Sequence, residues 1–146
     1  ADIMASLNYL PSKIMRNYEI SSCTDITGFG LLGHALESVN SLTSFMIDCN
    51  KVPTVEEAIH LSQDGVVPGG TKRNMKYLED KVSYMSGLSE HCKTLLCDAQ
   101  TSGGLLIAMK DEHAKEFIKE INEISFGYAS IIGEVIPKGA KDIIVH

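Results

Sequence analysis

The apolar positions along the chain predict a run of short helices followed by strands. Over residues 2–16, Ile3, Met4, Leu7, Ile14 and Met15 recur at helical spacing. Pro11 falls inside this stretch, where it either opens a second helix at its first position or kinks a single one. From Asn17 to Thr27 the chain is polar and irregular, and no element is expected there. A helix over 29–40 carries the stripe Leu31, Leu32, Ala35, Leu36 and Val39. Residues 43–48 read as a short strand. Thr54-Val55-Glu56-Glu57 has the form of a capping box, with Pro53 before it and Gly65 after the helix it would open. Residues 66–70 (Val-Val-Pro-Gly-Gly) read as a turn, followed by helices over about 72–80 and 87–96.

The second half changes period. Residues 104–109 are continuously apolar, as a strand buried on both faces would be. Asp111 can cap a helix whose stripe is Ala114, Phe117, Ile118, Ile121 and Ile124. Strands over 129–136 and 142–145 close the chain, with Pro137 and Gly139 marking the turn between them. Helices first, then strand, helix, strand, strand, argue for a mixed α and β domain with helices packed on a sheet.

Composition adds bounds. The chain has 146 residues, one domain's worth, and a domain of that size buries roughly two thirds of its unfolded surface. Its apolar fraction of 44% and charged fraction of 22% are ordinary for a soluble globule. The net charge is -6 with the acids scattered, so there is no basic field for nucleic acid or an anionic membrane. No run approaches 18 apolar residues, and no signal-peptide pattern is visible. The chain opens on Ala1 and goes straight into a helical pattern, which is expected of a fragment or a trimmed N-terminus. The cysteines are Cys23, Cys49, Cys92 and Cys97; none forms a C-x-x-C pair, and no His stands at zinc-finger distance. Reduced, structural cysteines in the cytoplasm are the expectation. Cys23 and Cys97 each lie beside a candidate loop, which leaves a redox role open.

The candidate chemistry concentrates in Thr24-Asp25-Ile26-Thr27-Gly28-Phe29-Gly30-Leu31-Leu32-Gly33-His34. Gly28, Gly30 and Gly33 match G-x-G-x-x-G, and Asp48 follows Gly28 at the distance of a ribose-binding acid. That fingerprint needs a buried parallel strand before it. The preceding residues 19–25 are too polar for one, and a buried Asp25 would be an unpaired charge. The other reading uses the acid. Thr27 caps the helix, and Gly28 and Gly30 let its first amides approach an anion. Asp25 supplies the oxygen ligand Mg²⁺ prefers, and a metal beside such a helix start suits a polyphosphate. A purely local role, in which Asp25 and Thr27 cap and the glycines turn, stays open at this point.

Two further segments have related chemistry. Asp98-Ala99-Gln100-Thr101-Ser102-Gly103-Gly104 places acid, amide and hydroxyls ahead of two glycines. A loop that satisfies its own backbone would look the same. Pro68-Gly69-Gly70-Thr71-Lys72-Arg73-Asn74 puts a basic pair behind a glycine turn, where it could reach a phosphate or simply solvate a helix start.

In this order the three segments, with Ile131-Ile132-Gly133-Glu134-Val135, resemble the C-terminal half of the selenophosphate synthetase (selenide, water dikinase) family. The resemblance spans nearly the whole chain. The first segment and Gln100-Thr101-Ser102-Gly103-Gly104-Leu105-Leu106 are its most specific parts. Aminoimidazole ribonucleotide synthetase and thiamine monophosphate kinase, from the wider superfamily, match the glycine region only loosely. The resemblance implies a three-layer α/β/α domain with a mixed sheet, of the aminoimidazole ribonucleotide synthetase C-terminal type. It implies an ATP- and Mg²⁺-dependent reaction in which selenide, ATP and water give selenophosphate, AMP and phosphate. Family enzymes are cytoplasmic homodimers. Their N-terminal domain carries the reactive Cys or selenocysteine, a Lys and most of the ATP site, so no catalytic residue is expected in this chain. The acid carried over onto Asp25 is the family's metal ligand in this domain. Thr27, Gly28, Gly30, Thr101, Ser102 and Gly103 are the residues expected near phosphate or nucleotide. Ala99 stands where the family usually has Pro, and Pro11 interrupts a helix that is usually smooth. The alternatives are another ATP-dependent member of the superfamily, and a binding module that covers a partner and does no chemistry.

Overall fold

The structure is a computed structural model describing residues 7–124 and 129–146. Ile3 and Met4 lie outside the described residues. Helix α1 (Tyr9–Ile14) continues as a 3₁₀ turn over Met15–Asn17. Pro11 is its third residue, in the first turn, where a missing N–H costs no intrahelical bond. The first such bond runs from the Ser12 amide to the Asn8 carbonyl at 3.0 Å.

Strand β1 (Ile20–Asp25) follows, where the polar composition had suggested an irregular segment. Its residues alternate half-buried and exposed, so a polar sequence fits an antiparallel strand with one wet face. β1 pairs antiparallel with β4 (Leu105–Met109), with Asp25 opposite Leu105. These two strands form a separate ribbon. The dinucleotide fingerprint therefore does follow a strand, but not the buried parallel one it requires.

Helix α2 (Gly30–Ser38) leads to β2 (Thr43–Ile47) and a 3₁₀ turn over Cys49–Lys51. Helix α3 spans Glu56–Gln63. Its expected capping box does not form. The helix begins one residue late, Val55 occupies the cap, and the Thr54 hydroxyl donates to the Val52 carbonyl at 3.4 Å. Gly65, with φ +78°, ends the segment. Helix α4 (Gly69–Leu78) takes in both glycines of the expected turn. Strand β3 (Val82–Tyr84), three residues long, is too short to show a period. Helix α5 covers Glu90–Leu96. Asp111 is the first residue of α6 (Asp111–Ile124) rather than its cap, and pairs with Lys115 at 2.6 Å. Strand β5 (Gly133–Pro137) starts later than expected, because β2 offers partners only from Gly133 onward. β6 is Ile143–Val145.

The main sheet has the order β3-β6-β2-β5, with β6 parallel to β3 and β2, and β5 antiparallel to β2. The α+β class with helices packed on a sheet, expected from the element order, is the one adopted, and the sheet is mixed as the resemblance implies. One core joins Leu32 and Ala35 of α2, Leu78 of α4 and Leu96 of α5 to Ile47, Ile143 and Val145 of the sheet. A second joins Ile14 of α1 to Phe117 and Ile121 of α6. β4 serves both: Leu106 packs on the first core, Ile107 and Met109 on the second. Every β4 residue is nonetheless half-exposed, because a two-stranded ribbon cannot seal either face as a wide parallel sheet would. Ile124, the last residue of the α6 stripe, is 55% exposed.

The cysteines depart from expectation. Cys49 and Cys92 form a disulfide that ties the 3₁₀ turn after β2 to α5, while Cys23 and Cys97 are free. The pairing was invisible in the sequence because the two residues lie 43 apart and meet only when α5 packs beside that turn.

Candidate functional site

The ladder between β1 and β4 extends one residue beyond the strand. The Ile26 amide donates to the Gly104 carbonyl and the Gly103 amide donates to the Ile26 carbonyl, both at 2.9 Å. Ile26 is buried, and the alternation places Asp25 and Thr27 on the opposite side. Asp25 is exposed, so its charge escapes the desolvation cost a buried position would impose. Its carboxylate makes no hydrogen bond or ion pair to the protein among the described residues. Cys23, exposed on the same strand, has its thiol pushed up by desolvation and by the Asp25 charge, which keeps it protonated.

Three chain segments distant in sequence meet behind Asp25. The Thr27 carbonyl accepts from the Gly30 amide at 3.1 Å and the Gln100 amide at 2.9 Å. Gly30, with φ +69°, packs directly on the 97–98 backbone. A Cβ there would lie 2.6 Å from the Cys97 carbonyl carbon. The Asn74 amide donates to the carbonyls of Gly28 and Cys97, both at 3.0 Å. Thr71 donates to the Asp98 carboxylate. Thr71, Asn74 and Leu78 form the buried face of α4, while Lys72 and Arg73 between them are exposed. The basic pair is thus a solvated helix face, and its uncharged neighbours hold the loops. From the far end, Asn8 donates to the Gly103 carbonyl at 2.9 Å.

The expected site residues divide accordingly. Asp25, Gly28, Thr101 and Ser102 face solvent, and Gly28 has no heavy atom near where a Cβ would sit. Gly30 and Gly103 are committed to packing; a Cβ on Gly103 would come 2.5 Å from the Ile26 carbonyl. Packing alone accounts for their glycine requirement. Thr27 does not cap α2, whose cap position is Phe29. The Thr27 hydroxyl instead contacts Nε2 of His34 at 3.0 Å, and Nδ1 of His34 contacts the Glu37 carboxylate at 3.1 Å. Glu37 and Asn8 lie outside the segments that the sequence singled out, and His34, Thr71 and Asn74 lie inside them without an assigned role. A faint signal existed for Asn74, which lies three residues from Thr71 and four from Leu78, on one helix face.

Cys97 is fully buried beside Tyr84, whose hydroxyl lies 3.7 Å from its sulfur. Desolvation pushes both the thiol and the phenol up, so neither is a reactive group at neutral pH. Two clefts of about 350 Å³ each lie elsewhere, and neither is lined by Asp25, Thr27 or Gly28. No group of three or more His, Cys, Asp or Glu side chains converges among the described residues. The donor set available to a cation at Asp25 is therefore one free, exposed carboxylate. That fits Mg²⁺ as a single ligand, because this ion keeps its waters and takes remaining oxygens from phosphates. It does not fit a cage made by this chain.

A family model described as AIR synthase related protein, C-terminal domain, matches residues 4–146. The chain belongs to this family. Among curated relatives of this AIR synthase related domain, it is 64% identical over 146 residues to the selenide, water dikinase of Aliarcobacter butzleri, covering all of this chain and 42% of that protein. It is 42% identical to the selenide, water dikinase of Caldanaerobacter subterraneus, covering 99% of the chain and 42% of that protein. It is 40% identical to that of Clostridium botulinum strain Alaska E43, covering 98% and 41%. The chain thus spans about two fifths of the length of these relatives. Among the described residues, no helix is long and apolar enough to cross a membrane.

Proposed function

We propose that this chain is the C-terminal domain of a selenide, water dikinase. The full-length enzyme makes selenophosphate from selenide, ATP and water, releasing AMP and phosphate. The observation that carries this reading is the 64% identity over the whole chain to a protein of that name. The free, exposed carboxylate of Asp25 beside the open surface at Gly28 supports it at the level of the site. Asp25 is the residue of this chain that would hold Mg²⁺, and the bound ion would neutralise charge on the phosphates of ATP. Asn74 and Gly30 hold the loop that follows Asp25, Thr71 holds Asp98 on the neighbouring loop, and Thr101 and Ser102 of that neighbouring loop are exposed. The nucleophile and most of the ATP site belong to an N-terminal domain, in a cytoplasmic homodimer.

In the full-length protein, Asp25→Asn abolishes ATP-dependent selenophosphate formation while the circular dichroism spectrum is unchanged. Wild-type turnover by this variant would refute the assignment. One carboxylate binds Mg²⁺ weakly, so the isolated chain shows no tight Mg²⁺ or ATP binding by calorimetry; a micromolar Kd would contradict this. The family's description leaves a second reading, aminoimidazole ribonucleotide synthetase. Turnover of formylglycinamidine ribonucleotide in place of selenide would establish it.

A further inference from the structure

The contact chain Thr27–His34–Glu37 has a direction. His34 is buried at 7% exposure, and both ring nitrogens are engaged. An ionised Glu37 carboxylate can only accept, so Nδ1 at 3.1 Å carries the hydrogen. When the imidazole is neutral it has a single N–H, so Nε2 is then bare and accepts. The 3.0 Å contact to Thr27 is then a hydrogen bond donated by the Thr27 hydroxyl. With its hydrogen turned inward, Thr27 Oγ1 offers only lone pairs to anything outside. The opposite tautomer would put hydrogen on Nε2 and turn the hydroxyl outward as a donor.

We infer that His34 and Glu37 are positioning residues that fix the Thr27 hydroxyl as an acceptor beside Asp25. An acceptor cannot hydrogen-bond a phosphate oxygen that also only accepts. It suits a hydrogen donor, and the donor this surface calls for is water bound to a divalent cation on Asp25. The ladder at Ile26 puts Asp25 and Thr27 on one side, and the surface at Gly28 is open. Asp25 would hold the cation directly, and Thr27 would hold its hydration shell, an outer contact of the kind that tunes metal affinity. The inference rests on the reading of Asp25 as a cation ligand.

The test uses full-length protein labelled with ¹⁵N-histidine, with His34→Gln to assign the ring signals. Long-range ¹H–¹⁵N correlation at pH 8 is expected to show His34 protonated on Nδ1 and bare on Nε2. Hydrogen on Nε2 overturns the inference. The second readout is the Mg²⁺ concentration giving half-maximal ATP turnover. Glu37 has a side chain 55% exposed, so Glu37→Ala does not threaten the fold. Glu37→Ala and Thr27→Val are each expected to raise the half-saturating concentration about tenfold, with kcat recovered at saturating Mg²⁺. Thr27→Ser, which keeps the hydroxyl, restores the wild-type value. An unchanged Mg²⁺ requirement in both Glu37→Ala and Thr27→Val overturns the inference. If Asp25→Asn abolishes turnover and these two variants leave the Mg²⁺ requirement unchanged, only this inference fails. If Asp25→Asn turns over as the wild type does, the reading of Asp25 fails as well.

Discussion

Gly30 and Gly28 are two residues apart in one motif, and the structure assigns them opposite sensitivities. Gly30 has φ +69°, a conformation that costs an L side chain about 1–2 kcal/mol. Its Cβ would also lie 2.6, 2.7 and 2.8 Å from backbone atoms of Cys97 and Asp98. Those atoms cannot retreat freely, because Asn74 holds the Cys97 carbonyl and Thr71 holds the Asp98 carboxylate. Overpacking of this kind adds about 1–3 kcal/mol. Gly30→Ala should therefore destabilise the domain by about 3 kcal/mol. For a chain of this size that lowers Tm by about 10 °C. At Gly28 a Cβ meets nothing within 4 Å and φ is not positive, so Gly28→Ala should change stability by no more than about 0.5 kcal/mol. Thermal melts followed by circular dichroism, with urea midpoints as a second measure, decide the matter. Equal melting temperatures for the two variants would refute the assignment of Gly30 to packing and Gly28 to the open surface.

Asn74→Ala strips a donor from two carbonyls at once and should cost about 2–4 kcal/mol, measured by urea unfolding; a loss under about 0.5 kcal/mol would show that water replaces the amide. The Cys49–Cys92 bridge closes a loop of 43 residues, for which chain entropy predicts up to about 4 kcal/mol. Dithiothreitol should lower the wild-type Tm and leave that of a Cys49→Ser/Cys92→Ser variant unmoved, and equal responses would argue against the bridge. The Cys97 thiol and Tyr84 phenol are both pushed above their ordinary values of 9.0 and 10.0 by burial, so each holds its proton more tightly in the folded chain. Their contribution is complete below those ordinary values and is lost as pH rises from them through the higher values of the folded chain. Urea midpoints should fall from pH 8 to pH 11, less steeply in Tyr84→Phe above pH 10; identical slopes would refute the Tyr84 part.

Periodicity made much of this fold legible. The α2 and α6 stripes follow from apolar spacing, because Leu32 and Ala35 of one and Phe117 and Ile121 of the other face a core, while β2 and β6 follow from short apolar runs. Errors fell where partners, not local pattern, make the element. β1 is polar and became a strand only by pairing with β4, and β3 exists because β6 lies beside it. The capping box failed because the packed helix began one residue late, which no local rule could register.

The motif residues show the same division. Asp25 stood out in the sequence because an acid before a glycine-rich helix start has few uses, and it remains the free carboxylate of the site. Which glycine packs and which stays open depends on the 97–98 backbone arriving from 67 residues away. The same folding event sets Asn74 between two loops and brings Cys49 to Cys92. A chain can encode residue type and spacing locally. The space beside a Cα, or the partner of a side-chain amide, is fixed only when distant segments close on one another.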